Sequence, residues 1–427
     1  MVRSVEGAPV SAKRAPLEFD VAVVGGGAGG VAAALGAAAC GARVALVEAY
    51  GFFGGTATVA GVQAYCGFHT RGARPEQVVA GFGQRALDAL QALGHDVTPK
   101  HQSSGNWIIL LDPERLKLAM DGLVLAAGVE PLLHCRVVSV EERDGRIGSL
   151  LCADPQGMFE VRAQQVVDAT GNANLAALAW PERMRQRRQA ATLTARLSGL
   201  DATASYDKSD LRRAAQDYQE RTGTPLARAN GGYFVPLPWS DACWAMMVDV
   251  ELDDCSSPSL THAEMNARAI AHDYLQSLRR CVPGFARAQL DVTGPALGVR
   301  ATQHIASQRD AVLDDLLHAR RHADGIARAG WPGELHPRAG VIEYRPIAGD
   351  DWFNIRYGAL QADADGNCWL AGSSIGADDA AYGSVRVMGC AFATGHAAGV
   401  AAALSSPGSR ASLRAVQQIL LEQGALI

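Results

Sequence analysis

The residues best placed to do chemistry are three glycines and an acid. Gly25-x-Gly27-x-x-Gly30 directly follows the apolar run Phe19–Val24 and directly precedes the Ala-rich run Ala28–Cys40; a second apolar run, Arg43–Val47, ends at Glu48. Gly25 allows a sharp turn. Gly27 has no Cβ, so a pyrophosphate can approach the backbone. Gly30 lets a helix lie close on the preceding strand. The free N–H groups of the turn, at Ala28 and Gly29 among others, and the helix dipole favour phosphate. Glu48 is placed to accept hydrogen bonds from ribose hydroxyls. With a strand before it, a helix after it and an acid about 20 residues on, the pattern becomes a dinucleotide fingerprint rather than a chance glycine run.

These residues need elements to hold them. Phe19–Val24 and Val44–Val47 are continuous apolar runs, as expected of parallel strands covered on both faces. Ala28–Cys40 is the crossover helix. Residues 51–72 are glycine-rich and too irregular for one element. Gln77–Leu93 and Asp112–Ala127 read as helices; Asp112-Pro113-Glu114 supplies a cap, a proline at the first position and an acid in the first turn. Leu132–Val140, Gly148–Cys152 and Phe159–Asp168, separated by turn residues, predict a β-meander. Gln165–Gly171 reads as a further parallel strand feeding the crevice. Residues 183–290 carry more charge and a helix near His262–Arg280, which suggests an inserted domain. The chain then returns to glycine and alanine: a strand at Cys368–Gly372, a loop at Ser373–Val385, a helix from Arg386 and an amphipathic helix at Leu413–Leu421. The expected division is a flexible leader at 1–17, a dinucleotide domain at 18–182 and 298–427, and a substrate domain at 183–297.

Bulk properties narrow the classes. At 427 residues, 48% apolar and 19% charged, the chain can build a large core. A net charge of −5 argues against nucleic acid as a partner. No run reaches the about 18 apolar residues of a membrane span. The nine cysteines are scattered without C-x-x-C or C-x-x-H spacing, so no metal site is expected and free thiols in a cytoplasmic protein fit best.

The order of motifs resembles the FAD-dependent oxidoreductases with a glutathione-reductase-type FAD domain. It is closest to a bacterial group with GG-x-A-T soon after the ribose acid, here Gly54-Gly55-Thr56-Ala57-Thr58. The match continues through Asp112–Lys117, Val166–Ala176, Gly298–Ile305, Leu370–Gly399 and the terminal Gln-Gly-Ala. The resemblance implies a Rossmann-like α/β FAD-binding domain with a parallel sheet and β-meander, plus an inserted α+β substrate domain. It implies non-covalent FAD, with the ADP half on Gly25, Gly27, Gly30 and Glu48. Gly54, Gly55, Thr56 and Ala57 would run beside the flavin, and Val137 would sit near the adenine. Ala169, Thr170 and Gly171 would close over the pyrophosphate, with Gly372 in the same set. Gly383, Ser384, Val385 and Val387, leading to Met388, would aim backbone N–H groups at the flavin N1/O2 edge, where a helix N-terminus stabilises negative charge. The chain also departs from the group. Ala301-Thr302-Gln303-His304 stands where Glu-Ser-Arg-Arg-like residues are usual, and Asp379 stands where a histidine is common. Several cationic positions are thus neutral or acidic.

Individual side chains then acquire candidate roles. Cys66 and His69 lie near the implied flavin ring; either is a site for a covalent link, and His69 is an acid/base candidate against an ordinary loop histidine. Arg300 and His304 are four apart and would share a helix face: a substrate-polarising pair or a solvated face. Arg345 and Arg356 flank Trp352 and Tyr357, and one is a candidate for a substrate carboxylate against surface ion pairing. Tyr382, bracketing a turn with Arg386, is a candidate proton donor, and His396 reads as a core histidine. A second dinucleotide fingerprint and a redox C-x-x-x-x-C are both missing. The expected function is therefore a dehydrogenase or oxidase moving a hydride equivalent between a small metabolite and flavin N5, with oxygen or a carrier as acceptor and a homodimer left open. Alternatives are a monooxygenase using external NAD(P)H and a non-catalytic flavin-binding protein.

Overall fold

The computed structural model describes residues 14–362 and 366–427. A seven-stranded sheet forms the centre. Its order is Glu130–Leu132, Val44–Val47, Leu17–Val24, Gly157–Asp168, Arg146–Asp154, Arg136–Arg143, with Cys368–Leu370 also paired to Gly157–Asp168. The apolar runs form parallel pairs, with Val23 beside both Leu46 and Val167. Val21–Val24 and Val44–Val47 are buried, as strands covered on both faces should be. Gly157–Asp168 changes partner along its length. Its first half pairs antiparallel with Arg146–Asp154, completing the meander; its second half pairs parallel with Cys368–Leu370. The carboxyl ends of the parallel strands therefore converge where the glycine turn lies.

The helix Ala28–Ala39 is buried from Ala28 to Ala37. It packs against the helix Met388–Ala403, which is also almost wholly buried. Backbone meets backbone here. A Cβ on Gly395 would lie 2.0 Å from the Gly29 carbonyl oxygen, and one on Gly399 1.9 Å from that of Ala33. Glycines four apart on one helix thus seat against residues four apart on the other.

A second buried cluster spans residues 191–297. Its sheet runs Tyr233–Pro236, Cys243–Val250, Ala191–Ser198, Gln289–Thr293. The helices Lys208–Thr222 and Ser257–Cys281 supply the rest of that cluster, through Leu211, Ala215, Ala267, Tyr274 and Leu278.

Three local expectations change. Residues 1–13 of the expected leader lie outside the described residues, but 14–17 are tied down: Arg14 forms two bonds to the Asp154 carboxylate, 2.6 and 3.0 Å, and Leu17 opens the first strand. The helix predicted from Gln77 starts at Phe82, because Gln77 bridges His69 and the Val78 N–H donates to the Phe68 carbonyl. The loop predicted at Ser373–Val385 contains a helix, Asp379–Val385, whose cap is the Asp378 carboxylate accepting from Ala381 N at 2.7 Å.

Candidate functional site

A crevice of about 400 Å³ opens at the carboxyl ends of the parallel strands. At one end it is built by the glycine turn. Gly25 has φ +102°, and a Cβ there would lie 2.4 Å from the Ala169 carbonyl oxygen, so only glycine makes this turn. Gly27 caps the helix in an extended conformation, without side-chain help. Gly25, Gly27, Ala28 and Gly29 line the crevice. Gly30 does not. Its Cβ would fall 1.7 Å from the Gly25 carbonyl oxygen, so it is a packing glycine, as its expected closeness to the strand requires.

Across the turn, Gly54 N donates to Gly26 O at 2.9 Å. Gly55 and Thr56 line the crevice with Val59 and Ala60. Gly54 and Ala57 are not in the wall: a Cβ on Gly54 would strike the Thr58 side chain, and Ala57 is buried. Ala169, Thr170, Gly171 and Val137 all line it, and so do Cys135, Arg136, Gly372 and Ser373. Buried Asp168 sets the Thr170 turn by accepting from Thr170 N, Thr170 Oγ1 and Ala176 N at 3.0, 2.7 and 2.9 Å.

Glu48 also lines the crevice, at the end away from the long buried helix. Its Oε2 accepts from Gly26 N at 2.6 Å and its Oε1 from Tyr50 N at 2.9 Å. Burial lifts its pKa above the ordinary carboxyl value, against these backbone donors and Arg136. The acid therefore pins the glycine turn as well as facing the crevice, and a carboxylate has lone pairs for both.

The crevice is also lined by Arg386, Met388 and Ala391, the Ala391 carbonyl oxygen standing 3.3 Å from where a Cβ on Gly29 would be. Here the helix Met388–Ala403 begins, with Val387 as an extended cap and no side-chain acceptor. First-turn N–H groups of a helix have no partner within it. Among the expected flavin-edge residues, Gly383, Ser384, Val385 and Val387 are not in the wall. Ser384 Oγ donates to Trp331 O at 2.5 Å, a Cβ on Gly383 would meet Glu334 N at 2.6 Å, Val385 is fully buried, and Val387 packs on Gly67. They form a strut behind the crevice, and Met388, which does line it, lies just beyond them.

The expected catalytic side chains are not brought together as the spacing suggested. Residues 298–305 are not helical. Gln303–Ile305 is a strand paired with Met184–Gln186, His304 opposite Arg185. Arg300 instead donates to the Ala190 carbonyl. Burial, then Arg386, pulls its pKa down to about 9. Arg356 is held by Asp324 at 2.9 and 3.0 Å, and Arg345 by Glu343 at 2.8 Å; each is spent on an ion pair. Tyr382 is buried, and its hydroxyl donates to the Arg300 carbonyl at 2.6 Å. Burial raises its pKa, so it is not poised as a free proton donor. His69 is absent from the wall, and burial lowers its pKa. Burial pushes the Cys66 thiol up, which disfavours the thiolate.

One group escaped the sequence reading. His336 Nε2 lies 2.9 Å from Glu334 Oε1, and Trp331 Nε1 donates to Glu334 Oε2 at 3.3 Å. Arg386 Nη2 donates to the Glu334 carbonyl at 2.9 Å. Despite burial, His336, Arg386 and Arg300 hold the Glu334 carboxyl down to about 2. Burial takes His336 down to about 4. The group is thus carboxylate, neutral imidazole and guanidinium. The only signal in the sequence was Glu334-x-His336, two residues apart, which puts both side chains on one side of an extended segment.

The lining fits a dinucleotide: it combines glycine N–H donors with a cation beside a second helix N-terminus. Among the described residues no group of three or more His, Cys, Asp or Glu could hold a metal. None of their helices is long and apolar enough to cross a membrane.

Comparison with known proteins agrees. A family model described as FAD dependent oxidoreductase matches residues 20–423. No curated protein matches the sequence. A geranylgeranyl bacteriochlorophyll reductase-like protein from Thermoplasma acidophilum is 14% identical, covering 96% of this chain and 85% of that one, with a TM-score of 0.44. The myxobacterial chondrochloren halogenase is 16% identical, covering 91% and 73%, at 0.41. GidA of Aquifex aeolicus is 14% identical, covering 91% and 63%, at 0.49.

Proposed function

The chain belongs to the FAD-dependent oxidoreductase family, an FAD-using enzyme, and from that premise we propose that it moves a hydride equivalent between a small organic metabolite and the flavin. The observation that carries this reading is the crevice itself, lined both by Gly27–Gly29 of the glycine turn and by Arg386 and Met388 at the start of the second helix.

FAD, when bound, supplies the redox chemistry through its isoalloxazine ring. The protein supplies position. Gly25, Gly27, Ala28 and Gly29, with Thr170 and Gly171, would take the pyrophosphate. Glu48 would take the ribose, and Val137 with Cys135 would border the adenine. Gly55, Thr56, Gly372 and Ser373 would flank the chain towards the ring. Arg386 and the N–H groups from Met388 onwards would face the ring edge that gains charge on reduction, so the charge and dipole stabilise that change.

The test is anaerobic bleaching of the bound flavin by a panel of amino, hydroxy and other small organic acids and alcohols, set against NADH and NADPH. Bleaching by a metabolite supports the proposal. Bleaching by NAD(P)H alone, followed by oxygen uptake, points to a monooxygenase instead.

A further inference from the structure

We infer that the substrate is a small carboxylate and that Arg300 and Arg386 bind its anionic group; this rests on the flavoenzyme reading above. Three arginines, Arg228, Arg300 and Arg386, and two acids, Asp249 and Glu334, lie close enough to act on one another, and Arg386 of this group lines the crevice. Arg228 is closed off by Asp249 at 2.9 Å, both side chains almost fully buried. Thr192 Oγ1 and Gly340 N donate to the same Asp249 carboxylate. Glu334 gives its two oxygens to His336 and Trp331.

Two guanidinium groups remain. Arg300 donates to the Ala190 carbonyl and Arg386 to the Glu334 carbonyl, and among the described residues neither forms an ion pair. Against them stands one carboxylate, already occupied. One positive charge is therefore uncompensated, on side chains that are half-buried. Such a charge is costly unless an anion joins it.

The hydrogen bonding is also incomplete at this spot. Arg386 Nε and Gln189 Nε2 are buried donors without partners. Gln189 Oε1 already accepts from His336 N, Ala190 N donates to the His336 carbonyl and Arg386 holds the Glu334 carbonyl, so these two donors and Arg300 belong to one neighbourhood. A set of orphaned polar atoms in one place marks a missing polar group. Guanidinium forks match the two oxygens of a carboxylate, and a single excess charge suits a monoanion. The cofactor's own phosphates are already provided for by the free N–H groups of the glycine turn. The residues flanking Arg300 place it: Gly298 and Val299 line the crevice, and Tyr382 holds the Arg300 carbonyl.

FAD-loaded protein is titrated with sodium acetate and sodium benzoate, then with acetamide and benzamide, at constant ionic strength. The readouts are the flavin visible spectrum and the melting temperature. The acids are expected to perturb both saturably and to bind at least about tenfold tighter than their amides. Arg300→Gln should weaken the acids by about tenfold or more, and Arg300→Lys should recover part of the loss. Amides binding as well as acids, no binding by either, or unchanged acid binding in Arg300→Gln would overturn the inference. If Arg300→Gln does not fold, the acid-to-amide ratio of the natural protein decides. A protein that takes up no flavin defeats the cofactor reading itself, a failure distinct from the others.

Discussion

Asp379 Oδ1 lies 2.9 Å from Arg187 Nε, and the guanidinium it holds sits 4.2 Å over the Tyr382 ring. The Tyr382 hydroxyl in turn holds the Arg300 carbonyl. A mostly exposed acid is thereby linked, through a buried arginine and a buried tyrosine, to the wall of the crevice. This gives Asp379 a physical role: it is the counter-ion of Arg187, whose side chain is only 2% exposed.

Replacing that acid should therefore be felt. Asp379→Asn removes the counter-ion while Arg187 keeps the Ala377 carbonyl and the aromatic face. Because Asp379 itself is 77% exposed, the loss should be modest, about 1–2 kcal/mol. Arg187→Met also removes the Ala377 bond and the cation–π contact, but spares the desolvation of a charge. Urea unfolding of the flavin-loaded protein measures the first; an unchanged midpoint would show that Arg187 needs no counter-ion.

Gly399→Val should be far more damaging than its small size suggests. The new Cβ would fall 1.9 Å from the Ala33 carbonyl oxygen, so the two central helices must separate. A loss of about 3 kcal/mol or more, or failure to fold, is expected. Soluble yield and melting temperature check it. The exposed control Gly122→Ala meets no neighbour and should be neutral or slightly stabilising, since Gly122 is helical.

Acid should weaken the fold through its buried histidines. His396 and His336 are both held down to about 4 by burial, below the ordinary 6.5. Between those values the unfolded chain binds protons that the folded chain refuses. Stability is therefore present above about 6.5 and is lost as pH falls towards 4. His396 is the cleaner probe, because its ring rests on Phe82 and Gln423 rather than in the crevice. His396→Gln should flatten the profile over that window in urea midpoints measured against pH. An unchanged slope would remove His396 from the account.

The parts of this molecule that sequence revealed are the local ones. Gly25-x-Gly27-x-x-Gly30 and Glu48 form a contiguous unit whose turn, helix and strand need nothing from elsewhere to be read. Asp112 caps its helix by accepting from Glu114 N, as its position before Pro113 implied. What stayed hidden depends on partners distant in the chain. The four-residue spacing of Arg300 and His304 looked helical, but the strand Met184–Gln186 claims Gln303–Ile305. Arg356 looked like a carboxylate site until Asp324 closed it. Why Gly395 and Gly399 stand in a helix is visible only once Gly29 and Ala33 come against them. Glu334 and His336 sit in no motif, and only the arrival of Trp331, Arg386 and Arg300 gives them meaning.

The visible spectrum of the purified protein, before and after acid precipitation, tests the central claim most directly. The account predicts an oxidised-flavin spectrum with the yellow colour released into the supernatant, and a Glu48→Ala variant that holds FAD about tenfold more weakly or worse, because the ribose acceptor and the Gly26 anchor go together. A colourless protein that no added FAD reconstitutes would contradict it, and colour retained in the pellet would contradict the non-covalent mode.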